Sequence, residues 1–224
     1  ASYSKLSGQL PEQIGLCRNL QVLELSANQL TGSIPASISE CTELQIFSVQ
    51  DNKMSGEIPD LGDLVNLGKP LDLGLGVTEP GRLYLNGNQF TGPFPESVAM
   101  LPRLQRFSCA NNKLTGALPQ DLSMMEDCEA FFADHNQFTG SLPQKLPKKL
   151  WYLDLGYNQF TGSIPATWQD ATELGKVSLR NNNLSGTVPA IYKKLANLDM
   201  IDVRNCRFSF ADFKAWGGFI KNKD

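Results

Sequence analysis

The 224-residue chain is poor in the residue types from which most active sites are built. It has one histidine, and no cluster of histidine and cysteine has the spacing of a zinc site. It also lacks a glycine-rich phosphate loop and an acid–base pair at a defined spacing. The sequence therefore predicts a protein that is not an enzyme and that has no catalytic, metal or cofactor site.

Excess positive charge and long apolar runs are also missing. The 20 Lys and Arg residues against 23 Asp and Glu leave a formal net charge of −3 at pH 7, whereas nucleic-acid binders need a basic surface. No apolar run approaches the roughly 20 residues that a membrane helix requires. The sequence thus argues against a nucleic-acid partner and a membrane-spanning segment. Its 41% hydrophobic content is sufficient for a packed core.

A repeat accounts for most of the chain. The segment NQLTGSIP at residues 28–35 returns as NKMSGEIP, NQFTGPFP, NKLTGALP, NQFTGSLP, NQFTGSIP and NNLSGTVP. The apolar residue before each Thr/Ser-Gly step marks the phase of the repeat, at Leu6, Leu30, Met54, Phe90, Leu114, Phe138, Phe160, Leu184 and Phe208. The spacings of 24, 24, 36, 24, 24, 22, 24 and 24 residues define eight repeats over residues 6–208.

The repeats share the internal pattern L-x-x-L-x-L-x-x-N, with Cys206 in place of the asparagine in repeat 8. Alternation around the two central apolar residues predicts a short strand with one buried face. The asparagine that follows, Asn28 in the first repeat, has an amide that can both donate to and accept from the backbone of the turn. Gly32 then permits a tight bend, and Pro35 ends the strand. A single repeat cannot bury its apolar face, so the core forms only when repeats stack.

The full motif, L-x-x-L-x-L-x-x-N-x-L-x-G-x-I-P, resembles the plant-type class of the leucine-rich repeat family. The resemblance implies an α/β solenoid, a right-handed superhelix with a concave parallel β-sheet and 3₁₀ or loop segments on its convex side. Eight repeats at about 4.8 Å each would stack to roughly 38 Å. The predicted domains are a solenoid over residues 1–208, with an insertion near 68–80, and a C-terminal capping segment over residues 209–224.

Three departures from the repeat carry expectations of their own. Paired-cysteine caps, which the family's secreted plant members have, are missing. We therefore expect a preceding segment, a short strand over residues 1–5 or another subunit to cover the N-terminal end of the solenoid. Phe210, Phe213 and Trp216 have helical spacing and predict a capping helix rather than a partner-docking one. The insertion predicts a loop that leaves the third repeat, either on the binding side or as a tolerated surface feature.

The five cysteines are an odd number, which excludes a fully paired disulfide framework. Cys109 and Cys128 occupy core positions of their repeats and predict small buried hydrophobes. Cys17 and Cys41 are equivalent positions one repeat apart, which indicates a packed ladder in preference to a bridge. His135 directly precedes a repeat asparagine without a nucleophile beside it, and we expect a surface side chain.

Strand alternation identifies the residues of the concave face. Several aromatic residues fall there on repeats 3 to 6, as they do at interface hot spots. Arginines occupy one column on adjacent repeats twice, Arg82 with Arg106 and Arg180 with Arg204, and such pairs need nearby carboxylates or a bound anion. The predicted partner-binding residues are Arg82, Tyr84, Arg106, Phe132, Trp151, Tyr152, Asp154, Tyr157, Arg180 and Arg204.

The resemblance implies a recognition module, because plant-type leucine-rich repeats serve as receptor ectodomains and as inhibitors of secreted cell-wall-degrading enzymes. We predict a non-catalytic module, extracellular or at the cell surface, that binds a protein or peptide through its concave face. The alternative is a structural or accessory subunit of a multiprotein assembly, for example in an organelle lumen. Ice binding is a third hypothesis, based on the column of Thr-Gly steps, although Glu57 and Pro93 interrupt the adjoining column.

Overall fold

The computed structural model describes residues 4–74, 76–189, 195–209 and 211–212. A parallel sheet of eight strands runs through them, with one strand from each repeat in chain order. The strands of repeats 1 to 8 are Val22–Glu24, Ile46–Ser48, Arg82–Tyr84, Arg106–Ser108, Ala130–Phe132, Tyr152–Asp154, Lys176–Ser178 and Met200–Asp202. This sheet confirms the predicted solenoid.

The strands of the eight-stranded sheet pair in register, so that equivalent positions of successive repeats face each other. Phe107, for example, is the Cα partner of both Leu83 and Phe131. Because successive side chains of a strand point to opposite faces, equivalent positions form columns across the sheet. The central apolar column points into the core, and the columns on either side of it form the concave face.

Short strands on the side away from this sheet pair between neighbouring repeats. The parallel pairs are Ser7–Gly8 with Gln29–Leu30, Ser55–Glu57 with Gln89–Thr91, Thr115–Ala117 with Gln137–Thr139, and Thr161–Gly162 with Asn183–Leu184. The glycine that follows the Thr or Ser of each repeat has a φ between 73° and 92°, at Gly8, Gly32, Gly56, Gly92, Gly116, Gly140, Gly162 and Gly186. These are left-handed conformations that favour glycine.

In the part of the chain that the structure describes, four 3₁₀ helices connect repeats on the convex side. They are Glu12–Leu16, Ala36–Glu40, Glu96–Met100 and Ala166–Asp170. Each directly follows the proline of the repeat, whose φ of −66° to −75° and extended ψ end the preceding segment. In the described part of the chain, no helix is long and apolar enough to cross a membrane.

The repeat asparagines form a ladder of hydrogen bonds between neighbouring repeats. The Nδ2 of Asn52 donates to the carbonyls of Leu25 (3.0 Å) and Val49 (2.9 Å), and its Oδ1 accepts the N–H of Leu30 at 2.9 Å. The same pattern recurs at Asn88, Asn112, Asn136, Asn158 and Asn182. In repeat 8 the Sγ of Cys206 donates to the Leu179 carbonyl at 3.3 Å and replaces one of these bonds.

Aromatic and aliphatic side chains fill the space between the sheet and the convex connections. The rings of Phe107 and Phe131 lie 5.0 Å apart, and Phe94 packs on Phe107 at 5.7 Å. Leu153 and Leu155 of repeat 6 are fully buried, as predicted. Leu23 and Leu25 of repeat 1 are half-buried, because the described residues place a repeat on one side of them only.

The insertion in repeat 3 differs from the predicted loop. Leu71–Asp72 and Thr78–Glu79 pair as an antiparallel hairpin, and the Leu73 N–H donates to the Val77 carbonyl at 2.9 Å across the turn. The base of the hairpin is narrow, since a Cβ on Gly81 would lie 2.0 Å from the carbonyl carbon of Gly68. The hairpin leaves the repeat as expected, but it has its own secondary structure.

The five cysteines are unpaired. Cys109 and Cys128 are buried as predicted, and Cys41 is buried as well, but the packed ladder predicted for Cys17 and Cys41 is wrong at Cys17, which lies in solvent. Burial raises the pKa of the Cys128 thiol to about 12 and also raises the pKa of Cys41 and Cys109. Cys206 is half-buried, and Cys17 is exposed.

The predicted terminal covers lie largely outside the described residues. Residues 1–3 of the predicted N-terminal strand and Phe210, Phe213 and Trp216 of the predicted capping helix all lie there. Residues 4 and 5 are described and are not in a strand, since the first strand begins at Ser7. The capping helix and the domain boundary at residue 208 stay predictions.

Candidate functional site

The concave face carries its predicted residues in three groups along the solenoid. Arg82 and Tyr84 lie on repeat 3, and Arg106 follows on repeat 4 as the Cα partner of Arg82. The second group, here called the aromatic patch, lies on repeats 5 and 6 and consists of Phe132, Trp151, Tyr152 and Asp154. The third group, the arginine patch, spans repeats 6 to 8 and consists of Tyr157, Arg180 and Arg204.

Arg82 of the first group forms two ion pairs within the protein. The Nη2 of Arg82 lies 2.8 Å from the Oε2 of Glu24, and its Nη1 lies 3.6 Å from the Oε1 of Glu79 in the hairpin. The bridge to Glu24 spans repeat 2, and Ile46 and Ser48, which belong to outward columns of that repeat, are fully buried. Burial alone would raise the pKa of Glu24, but hydrogen bonds from Arg82 and Ser26 outweigh it and lower that pKa.

Arg82 therefore has carboxylate partners inside the protein, and the Arg82–Arg106 pair does not require a bound anion. Glu24 and Glu79 were not among the predicted site residues. Glu24 stands two repeats from Arg82 in the sheet, and Glu79 belongs to a hairpin that the sequence pattern did not predict. Comparing each residue only with the same position in the next repeat could not have identified either of them.

The aromatic patch is built from three rings that contact each other edge to face. The ring centroids of Phe132 and Tyr152 lie 5.0 Å apart at 77°, and those of Trp151 and Tyr152 lie 6.0 Å apart at 86°. Trp151 remains 44% exposed, and the other two rings are half-buried. Trp151 also lies against Gly175, where a Cβ would come within 2.3 Å of the indole Nε1. Glycine at that position makes room for the indole.

Two carboxylates lie beside these rings. Asp154 accepts the Gly156 N–H at 2.9 Å, and Asp134 lies 2.8 Å from the Nδ1 of His135. Burial raises the pKa of Asp154 above its ordinary value, and the charge of Asp134 raises it further, against lowering by the Gly156 bond and by Arg180. Burial also raises the pKa of Tyr152, with the charges of Asp154 and Asp134 adding to it. The centre of the concave face is thus acidic and partly dehydrated.

The arginine patch surrounds the ring of Tyr157. His135 stacks on this ring with a centroid distance of 4.0 Å, and the Cζ of Arg180 lies 5.0 Å from its centroid. Arg204 binds Asp202 through two bonds, Nε to Oδ1 at 2.9 Å and Nη2 to Oδ2 at 2.7 Å. A shallow depression lies here, lined by Tyr157, Arg180, Asn181, Arg204 and Asn205.

Asp202 serves as the local carboxylate that the Arg180–Arg204 pair was expected to need. The hydrogen bond from Arg204 lowers the pKa of Asp202, against the opposing effect of burial. His135 is an exposed side chain, as predicted, but its stacking on Tyr157 was missed. The two residues occupy the same position of adjacent repeats. A comparison of that position between neighbouring repeats would have predicted their contact. Among the described residues, no three His, Cys, Asp or Glu side chains are placed to hold a metal ion.

Comparison with known proteins gives consistent matches. The model of the Leucine Rich Repeat family matches residues 19–41 and 149–171. The plant peptide hormone receptor RGFR1, in complex with RGF2, is 32% identical with a TM-score of 0.82, over 91% of this chain and 31% of that chain. The ectodomain of the Arabidopsis receptor kinase HAESA, in complex with an N-terminally extended IDA peptide hormone ligand, is 29% identical with a TM-score of 0.80, over 91% and 33%.

PEPR1, solved with AtPEP1, is 28% identical with a TM-score of 0.78, over 91% of this chain and 27% of that chain. The chain spans about a third of the length of these three structures. No curated protein matches the sequence.

Proposed function

The chain is a leucine-rich repeat protein of the plant type, and from this premise we propose that it is a non-catalytic recognition module that binds a peptide across its concave sheet. Two of the similar structures, RGFR1 with RGF2 and HAESA with an IDA peptide, are complexes of peptide hormone receptors. The proposal places the protein outside the cell or at its surface, since the HAESA structure is that of a receptor ectodomain.

The aromatic patch is the observation that carries the proposal. Phe132 and Tyr152 lie in outward columns, where the repeat does not require an apolar side chain. Trp151 directly precedes the strand of repeat 6 and is an exposed side chain. Rings with open surface on a concave face supply large contact area at low entropic cost and are frequent at interface hot spots. A peptide that lies along the sheet would cover these rings. It would also contact the acidic centre around Asp154 and Asp134 and then the arginine patch.

A peptide selection tests the proposal. Peptides enriched from a displayed random library against the immobilised protein are resynthesised, and their dissociation constants are measured by calorimetry. The double variant Phe132→Ala/Tyr152→Ala is expected to weaken binding by more than about tenfold, because hot-spot rings each contribute about 1–2 kcal/mol.

The matched control is Met100→Ala/Met124→Ala. It removes two exposed apolar side chains, 58% and 46% exposed, from the connections outside the sheet. It should leave the dissociation constants unchanged. Peptides that bind both double variants equally well, or a library that yields no specific binder, would contradict the concave-face proposal.

A further inference from the structure

Two rings of the aromatic patch form a corner on the concave face. Phe132 belongs to repeat 5 and Tyr152 to repeat 6, and their planes meet at 77° with the centroids 5.0 Å apart. Both side chains are half-buried. An edge-to-face pair leaves a corner bounded by the face of one ring and the edge of the other. The face of an aromatic ring attracts ammonium and guanidinium groups.

Asp154 lies at the same corner. It is the Cα partner of Phe132 across the sheet and stands two residues after Tyr152 on its own strand, so all three side chains point outward as neighbours. Asp154 forms no ion pair with any described residue. A carboxylate partly removed from water is costly without a counter-ion, and Asp134 nearby adds negative charge.

Lys176 and Arg180, on the next strand and just after it, direct their charges away from this corner. The Nζ of Lys176 lies 5.0 Å over the ring of Trp151. Arg180 approaches Gly156 with its stem, and its guanidinium lies over Tyr157. The patch therefore already attracts positive charge at its edge, while the corner formed by Phe132, Tyr152 and Asp154 is left open to a cation from outside.

We propose that Phe132, Tyr152 and Asp154 form a subsite for an arginine side chain of the bound peptide, an inference that rests on the proposed function. A guanidinium is planar, so it stacks on a ring while donating to a carboxylate in the same plane. An apolar side chain would fill the corner but would bury Asp154 without a counter-ion. An acidic side chain would be repelled by Asp154 and Asp134.

An NMR titration of the intact protein tests the subsite directly. The probe is Nα-acetyl-arginine amide, and its neutral isostere Nα-acetyl-citrulline amide is the comparison ligand. The aromatic ¹H–¹³C signals of Phe132 and Tyr152 should shift in a saturable manner with the arginine probe. The citrulline probe should bind at least about tenfold more weakly, because it loses both the cation–π contact and the ion pair.

Two variants locate the effect. Asp154→Asn retains an oxygen that can accept the Gly156 N–H, and it should reduce the preference for the arginine probe to the part that the cation–π contact supplies. Phe132→Leu should weaken the binding of the arginine probe, although it preserves an apolar side chain at that position. Asp51→Asn, which removes an exposed carboxylate at the edge of the sheet in repeat 2, should retain the full preference for arginine. Equal binding of both probes to the unaltered protein, or an unchanged preference in Asp154→Asn, would overturn the subsite.

The outcome separates this inference from the proposed function. If selected peptides lose no affinity when their arginines are replaced by citrulline, the subsite is wrong and peptide recognition stands. If the arginine probe binds as described but no peptide depends on Phe132 and Tyr152, the subsite stands and the peptide-binding proposal is wrong.

Discussion

At the residue scale, Asp154 combines a proposed role in binding with a cost to the stability of the fold. Its carboxylate is partly buried, is held by a backbone N–H and forms no ion pair with the described residues. The titratable groups around it are Asp134 in repeat 5, Tyr152 on its own strand and Arg180 in repeat 7, with Asp202 further along. Burial dominates this balance and raises the pKa of Asp154.

Asp154→Asn is therefore expected to leave the melting temperature at pH 7 unchanged or to raise it. A carboxyl whose pKa is higher in the folded state than in the unfolded chain destabilises the fold while it is ionised. Stability is gained as the pH falls through the folded-state pKa. Thermal unfolding of both proteins from pH 7 down to about pH 3, below the ordinary aspartate pKa of about 3.9, should show the advantage of the variant disappearing. A variant that is less stable at pH 7 would refute this account.

At the scale of the elements, the hairpin of repeat 3 depends on two glycines at its base. The repeat is lengthened by 12 residues relative to the others, and the chain must leave and re-enter the solenoid within one repeat spacing. Gly68 and Gly81 allow this because their backbones lie closer together than any side chain would permit. Glu79 at the end of the hairpin then pairs with Arg82, which begins the strand of the eight-stranded sheet.

Gly81→Ala should destabilise the protein by more than about 2 kcal/mol, because the new Cβ would overlap the Gly68 backbone. Gly74→Ala in the turn of the same hairpin is the control. Its φ is +81° and its Cβ would meet nothing within 4 Å, so only the conformational cost of about 1 kcal/mol is expected. Urea unfolding measures both values. Equal losses in the two variants would show that the close approach at the base is not important.

At the scale of the whole molecule, stability comes from coupling between neighbouring repeats. Each ladder asparagine joins two repeats, as Asn136 does by donating to the Cys109 carbonyl of repeat 4 at 2.9 Å and accepting the Leu114 N–H at 3.0 Å. The concave face is also differentiated along the solenoid, from an ion-paired region at repeats 1 to 3, through the acidic aromatic patch, to the arginine patch. This order would give a peptide bound as proposed a direction along the sheet.

Asn136→Ala should weaken the contact between repeats 4 and 5 by about 3 kcal/mol, since several buried backbone groups lose their partners. In a repeat array, a weakened central interface lowers cooperativity, so urea unfolding should become broader or split into two steps. Asn28→Ala in the half-buried first repeat is the control. It should lower the free energy of unfolding by less, because water can replace the hydrogen bonds of the lost amide. A single sharp transition in Asn136→Ala would argue against coupling through the ladder.

The repeat period, the columns of the sheet and an asparagine that bonds to the backbone of the turn all followed from the sequence. Each depends on local spacing that recurs in every repeat, so strand alternation and stacking left one arrangement for Leu153, Leu155 and Asn136. The bonds of the asparagine to the preceding repeat were found only in the structure. The outward positions of Phe132, Tyr152 and Arg180 followed from the same alternation. The accessory-subunit alternative, the terminal covers and the compartment stay predictions.

Which side chains meet on the concave face was decided by the tertiary structure alone. The bridge from Arg82 to Glu24 spans two repeats, the hairpin brings Glu79 to Arg82, and His135 stacks on Tyr157. Long side chains on a sheet can reach several neighbours, and their choice depends on rotamers, burial and competing charges that a one-dimensional pattern does not contain. For the same reason, the sequence named Asp154 as a site residue, but only the packing around it shows that its carboxylate forms no ion pair with the described residues.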